Sequence, residues 1–66
     1  MKNLIRVERA RCDMSQSELA EAVGVTRQTV YAIEKSKFTP SVLLAFKIAK
    51  KLNVDVNYLF SLEDTD

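Results

Sequence analysis

Nucleophilic and metal chemistry have little to work with in this 66-residue chain, which has no histidine and a single cysteine, Cys12. Serine–histidine and cysteine–histidine catalysis both need an imidazole base, so neither can be assembled within one copy. The cysteine/histidine set of a zinc site is equally out of reach, and one thiol cannot close an intrachain disulfide. A lone thiol of this kind is expected to be a small, buried core residue. Glu18 and Glu21 stand close together, but a carboxylate pair does acid–base work only in a concave pocket, for which short helices leave little room. They read as surface charge. No enzymatic constellation, cofactor or metal site is expected.

What the chain does carry is unevenly placed charge. Residues 1–60 hold all ten lysines and arginines against six acids: Glu8, Asp13, Glu18, Glu21, Glu34 and Asp55. Glu63, Asp64 and Asp66 follow with no base among them. A basic body with a short acidic end is compatible with a polyanionic partner. The apolar share of 47% is that of a globular domain. The longest uninterrupted apolar run, Val42 to Phe46, is far short of the roughly 20 residues that cross a bilayer. Arg6, Glu8, Arg9 and Arg11 interrupt any leader-like stretch, so the expectation is a reduced, cytoplasmic location with no membrane partner.

Helical periodicity dominates the elements that must position these groups. A first helix is expected from Lys2 or Asn3 to Cys12, with Ile5, Arg9 and Cys12 on one face. Ser15-Gln16-Ser17-Glu18 reads as a capping box opening a second helix, Gln16 to Val23, which Gly24 ends in a left-handed conformation. Thr26 is placed to cap a third, Arg27 to Lys35, with Val30 and Ile33 inward. Pro40-Ser41 opens a fourth, Val42 to Leu52, closed by Asn53, and Asp55 a fifth, Val56 to about Phe60. The fourth is apolar on more than one side, so it should be surrounded by its neighbours or have one side in a partner.

Residues 16–35 have the spacing of a helix-turn-helix. Ala20 stands where two helices cross closely, Gly24 supplies the sharp turn, and Leu19, Val23, Val25, Val30 and Ile33 lock the pair. The exposed side of the second helix of such a pair is free to enter a major groove. With these residues in place, SQSELAEAVGVTRQTVYAIEKSKFTPSVLLAFKIAKKLNV closely resembles the Cro/repressor-type helix-turn-helix family, over residues of about 3–60. The resemblance implies an all-α bundle of five helices filling residues 1–66 as one DNA-binding domain. In some small members short terminal strands pair near the dimer interface, which would fall here around Lys2–Leu4 and Ser61–Glu63. It also implies a homodimeric transcriptional regulator, in the simplest case a repressor, acting on double-stranded DNA.

The resemblance assigns roles position by position. Arg27, Gln28, Thr29, Tyr31 and Ala32 match the residues that face base edges. Arg27 can fork onto guanine, and Gln28 can pair with adenine. Tyr31 either meets a thymine methyl or packs on the second helix. Gln16, Ser17, Thr26, Lys35, Lys37 and Phe38 match positions that hold phosphates, which carry salt-sensitive affinity rather than sequence information. Arg9 and Glu34 match a structural ion pair that fixes the recognition helix. Two positions depart from the family pattern. Glu8 stands where an apolar residue is usual, so it is paired with a neighbouring arginine or the first helix is slightly rotated. Leu43, usually polar, suggests an extra contact in the dimer or with another protein.

Size supports association. A domain below about 70–80 residues draws only about 3–5 kcal/mol from its core, and disulfides and metals are not available here. The segment 42–62 comprises the fourth helix and a C-terminal stretch with more large apolar groups than one short helix can turn inward. Val54, Val56, Tyr58, Leu59, Phe60 and Leu62 are the expected dimer contacts. Two recognition helices about 34 Å apart then face successive major grooves, and the operator is an inverted repeat. The alternative is a protein-interaction adaptor or antitoxin-like partner built on the same fold. Arg27, Gln28 and the two following lysines argue against it.

Overall fold

The structure, a computed structural model, describes residues 1–66. Five helices, α1 (Ile5–Arg11), α2 (Gln16–Val23), α3 (Arg27–Glu34), α4 (Val42–Lys51) and α5 (Val56–Leu59), lie between two short strands, β1 (Lys2–Asn3) and β2 (Phe60–Ser61). The strands pair antiparallel, Lys2 opposite Ser61 and Asn3 opposite Phe60. The ladder continues as Leu4 N–H donates to the Leu59 carbonyl at 2.9 Å. This pairing displaces the expected start of the first helix from Lys2 or Asn3 to Ile5, and it ends α5 at Leu59 rather than Phe60. Backbone groups committed to a ladder are not free to close helical turns.

Helix starts follow the capping chemistry read from the sequence. Ser15 Oγ accepts from Glu18 N at 3.0 Å while Glu18 Oε1 accepts from Ser15 N at 2.9 Å. The hydrogen bonds to Ser15, that from its backbone first, hold the Glu18 carboxyl below its usual range. Thr26 and Ser41 cap α3 and α4 from one side only, their hydroxyls accepting from Thr29 N at 3.2 Å and Leu44 N at 3.1 Å. Asp55 precedes α5 but its side chain makes no capping bond.

Helix ends share one device. Asp13, Gly24, Ser36 and Asn53 all take positive φ. After each of them the next amide reaches back five residues: Met14 to Arg9, Val25 to Ala20, Lys37 to Ala32, Val54 to Ala49, all at 2.9–3.0 Å. This is the Schellman closure. Only one of the four uses glycine. A Cβ added to Gly24 meets nothing within 4 Å, so its φ of +80° is the sole obstacle to a side chain there. Gly24→Ala should therefore cost about 1–2 kcal/mol, the price of a left-handed alanine, and no more. A thermal melt checks it, and a larger loss would reveal a packing conflict at the turn.

The core joins every helix: Ile5, Leu19, Val30, Ile33, Ile48 and Leu59 are fully buried, with Ala20, Val23, Ala49, Leu52 and Phe60 around them. Three expectations change here. Cys12 is exposed rather than buried, with Sγ 3.9 Å from the Leu52 carbonyl. The buried face of α1 is Ile5 and Glu8, so the helix is turned away from Cys12. Glu8 is 2% exposed and accepts from the Tyr58 hydroxyl at 2.7 Å, with Arg11 Nε 3.4 Å away. The Tyr58 pKa is raised, first by that bond to the Glu8 carboxylate. Finally, Leu59 and Phe60, expected at a dimer contact, are 0% and 9% exposed. They fill the core of their own chain and present no surface to a partner.

Candidate nucleic-acid interface

The caps leave specific donors free. Ser15 satisfies the amides of Glu18 and Leu19, so those of Gln16 and Ser17 point from the positive end of α2 with no acceptor in the chain. At α3, Thr26 occupies the amides of Thr29 and Val30, leaving Arg27 and Gln28 in the same state. Oriented amides at a helix start attract anionic oxygens.

A chain of side chains ties these starts to α1. Arg9 forks onto Glu34, Nε to Oε2 at 2.7 Å and Nη2 to Oε1 at 3.3 Å, and its Nη1 donates to the Met14 carbonyl at 2.9 Å. The paired side chains are 15% and 6% exposed. Gln16 Nε2 donates to the same Glu34 Oε1 at 3.2 Å, and Gln16 Oε1 accepts from Arg27 Nη1 at 3.4 Å. The pair therefore fixes the end of α3 against α1 and, through Gln16, orients the residue that opens α3.

The remaining candidates fall on or beside α3. Arg27, Gln28, Tyr31, Lys35, Lys37 and Phe38 are exposed, as are Ser17 and Thr26, while Gln16, Thr29 and Ala32 are half-buried. Thr26 and Thr29 hydroxyls bond each other at 3.1 Å. Tyr31 stands out from the helix, and Lys35 Nζ lies 5.7 Å from its ring centroid. A cation at that distance is attracted by the ring face and restrains both groups.

Two positioning residues escaped the sequence reading. Asn3 Nδ2 donates to the Ile33 carbonyl at 2.9 Å, and Ser36 Oγ donates to the Met1 carbonyl at 2.8 Å. Both pin the end of α3 to the N-terminal strand. Nothing in the local sequence marks contacts across about thirty residues of chain.

This fold, with a capped and outward-facing α3 set against α2, defines a helix-turn-helix DNA-binding protein. A helix-turn-helix family model matches residues 5–59, and the chain belongs to the Cro/repressor-type helix-turn-helix family. It is 47% identical to the HTH-type transcriptional regulator MJ0272 of Methanocaldococcus jannaschii, over the whole of both chains. It is 52% identical to the HTH-type transcriptional regulator YgzD of Bacillus subtilis, over 97% of each. Its fold is similar to that of the restriction-modification controller protein C.AhdI of Aeromonas hydrophila, with a TM-score of 0.78, 28% identity and 85% of each chain covered. The protein is a transcriptional regulator with a helix-turn-helix DNA-binding domain. No helix is long and apolar enough to cross a membrane.

Proposed function

We propose that this protein binds an inverted-repeat operator as a homodimer and represses transcription by occluding polymerase. The observation that carries the reading is the outer face of α3, where a guanidinium, a carboxamide and an aromatic ring stand free of the core on a helix held at both ends. Arg27 and Gln28 read base edges, with Tyr31, Ala32 and Thr29 beside them. The free amides of Gln16 and Ser17, the Thr26 cap, Lys35, Lys37 and Phe38 lie along the phosphates. Gln16 contacts phosphate through its amide while its side chain holds Arg27.

A protomer measures 31 × 21 × 20 Å. Its longest extent is comparable to the roughly 34 Å between successive major grooves, so two copies about a two-fold axis can present one α3 to each. Val54, Val56, Tyr58 and Leu62 are the parts of the C-terminal segment that retain surface for the partner; Tyr58 and Leu62 are 48% and 81% exposed.

Selection from a random duplex library at about 150 mM salt should recover an inverted repeat with half-site centres about 10–11 base pairs apart. Absence of enrichment, with binding that vanishes uniformly as salt rises, would reduce the activity to non-specific electrostatics. On the recovered operator, Lys37→Ala should weaken binding to all duplexes alike and lower the salt slope by about 1. A change in base preference instead would place Lys37 in the groove.

A further inference from the structure

The outward face of α4 changes character half-way along. Its first turns present Val42, Leu43 and Phe46, which are 75%, 66% and 56% exposed. Its later turns present Lys47, Lys50 and Lys51, all exposed and none in a salt bridge. Of the two expectations for α4, enclosure by its neighbours or one side in a partner, the first is not met on this side, and the apolar turns are left for a partner to cover. An antiparallel α4-to-α4 contact centred on the apolar turns would cover them but would leave the lysines of both chains without a counter-charge. An occupant that is apolar beside acidic satisfies both halves of the face.

One segment of this chain has that composition. Leu62 is 81% exposed and is followed by Glu63 and Asp64. Asp64 has no cationic partner, and the only one for Glu63 is the Met1 ammonium, 3.3 Å away. The spacing is compatible: Leu62 and Asp64, at the start of a turn closed by Asp66 N–H on the Glu63 carbonyl at 3.0 Å, can be at most about 7 Å apart, and Leu43 and Lys47 are about 6 Å apart, one helical turn. Phe46 and Lys50 line a groove with Val54 and Val56, so the α4 face is continuous with the other surface assigned to the dimer.

We infer that Leu62–Asp64 of one copy docks on the α4 face of a second, and reciprocally. Leu62 sits on Val42, Leu43 and Phe46, while Glu63 and Asp64 lie among Lys47, Lys50 and Lys51. The exchange is isologous and closes at two chains. It rests on the homodimer reading above and assigns the surface that the C-terminal segment meets.

The test is a charge swap read by sedimentation equilibrium. One variant carries Lys47→Glu, Lys50→Glu and Lys51→Glu, and the other Glu63→Lys and Asp64→Lys. Helical circular dichroism confirms that each is folded, and Asp64→Lys alone repeats the second without touching the Met1 ion pair. Each variant alone should dimerise at least about tenfold more weakly than the wild type, because like charges then face each other. An equimolar mixture should recover wild-type affinity as a heterodimer, in which both contacts are again opposite in charge. Variants that dimerise like the wild type, or a mixture no tighter than its components, would overturn the inference and leave the α4 face to another protein. A wild type that stays monomeric would instead remove the homodimer reading, and this contact with it.

Discussion

Glu34→Gln should remove about 3 kcal/mol of folding stability, the lower end of the cost of breaking a buried ion pair from one side. The replacement is nearly isosteric, so the loss isolates charge from packing. Arg9 would keep its bond to the Met14 carbonyl at 2.9 Å, but of its two carboxylate contacts only one can survive, on the neutral carboxamide oxygen. Its side chain is 15% exposed, so water reaches it only in part. In a domain this small, such a loss lowers the melting temperature by roughly 12–24 °C. The measurement is a thermal melt followed by helical circular dichroism. A loss below about 0.5 kcal/mol would show the pair to be solvent-screened like an ordinary surface bridge. Arg9→Met with Glu34→Leu should recover most of the stability, because neither charge is then left uncompensated. DNA binding need not recover with it, since Gln16 would still lack its acceptor on Glu34.

Arg27→Ala should leave the melting temperature nearly unchanged and weaken operator binding by about 1–3 kcal/mol. Arg27 is exposed, and its one side-chain bond is the 3.4 Å contact to Gln16, so little stability depends on it. The discriminating readout is base preference. Wild-type protein should penalise a substitution at one base pair of each half-site, and the alanine variant should be indifferent there. A uniform loss over all sequences would make Arg27 a phosphate contact. Unchanged affinity and preference together would place the recognition surface elsewhere than the start of α3. Gln16→Ala tests the positioning bond, and a partial relaxation at the same base pair is the expected result.

Most of the frame was legible because it is local. Ser15, Thr26 and Ser41 announce helix starts by side-chain chemistry that acts within three residues. The stripe of Leu19, Val23, Val30 and Ile33 announces the inward faces by its period. Left-handed helix ends were less visible, since only Gly24 is a glycine, and Asp13 and Ser36 adopt the same conformation while carrying a side chain. The rotation of α1 was also hidden. A carboxylate at Glu8 reads as solvent-facing until Tyr58, fifty residues later, donates to it.

The candidate site divides in the same way. Residue types and spacing were enough to mark Arg27, Gln28, Lys35 and Lys37, because a helix-turn-helix places them by sequence offset alone. How Gln16 is shared between Glu34 and Arg27, and how Asn3 and Ser36 hold the end of α3, depends on chain segments brought together only by folding. The C-terminal apolar residues show the limit most plainly. Six of them looked alike in sequence as dimer contacts, yet the pairing of β2 with β1 puts Leu59 and Phe60 into the core and leaves Leu62 outside. Hydrophobicity states that a side chain seeks cover. Whether its own chain provides that cover is settled by the register of strands joining the two ends of the molecule.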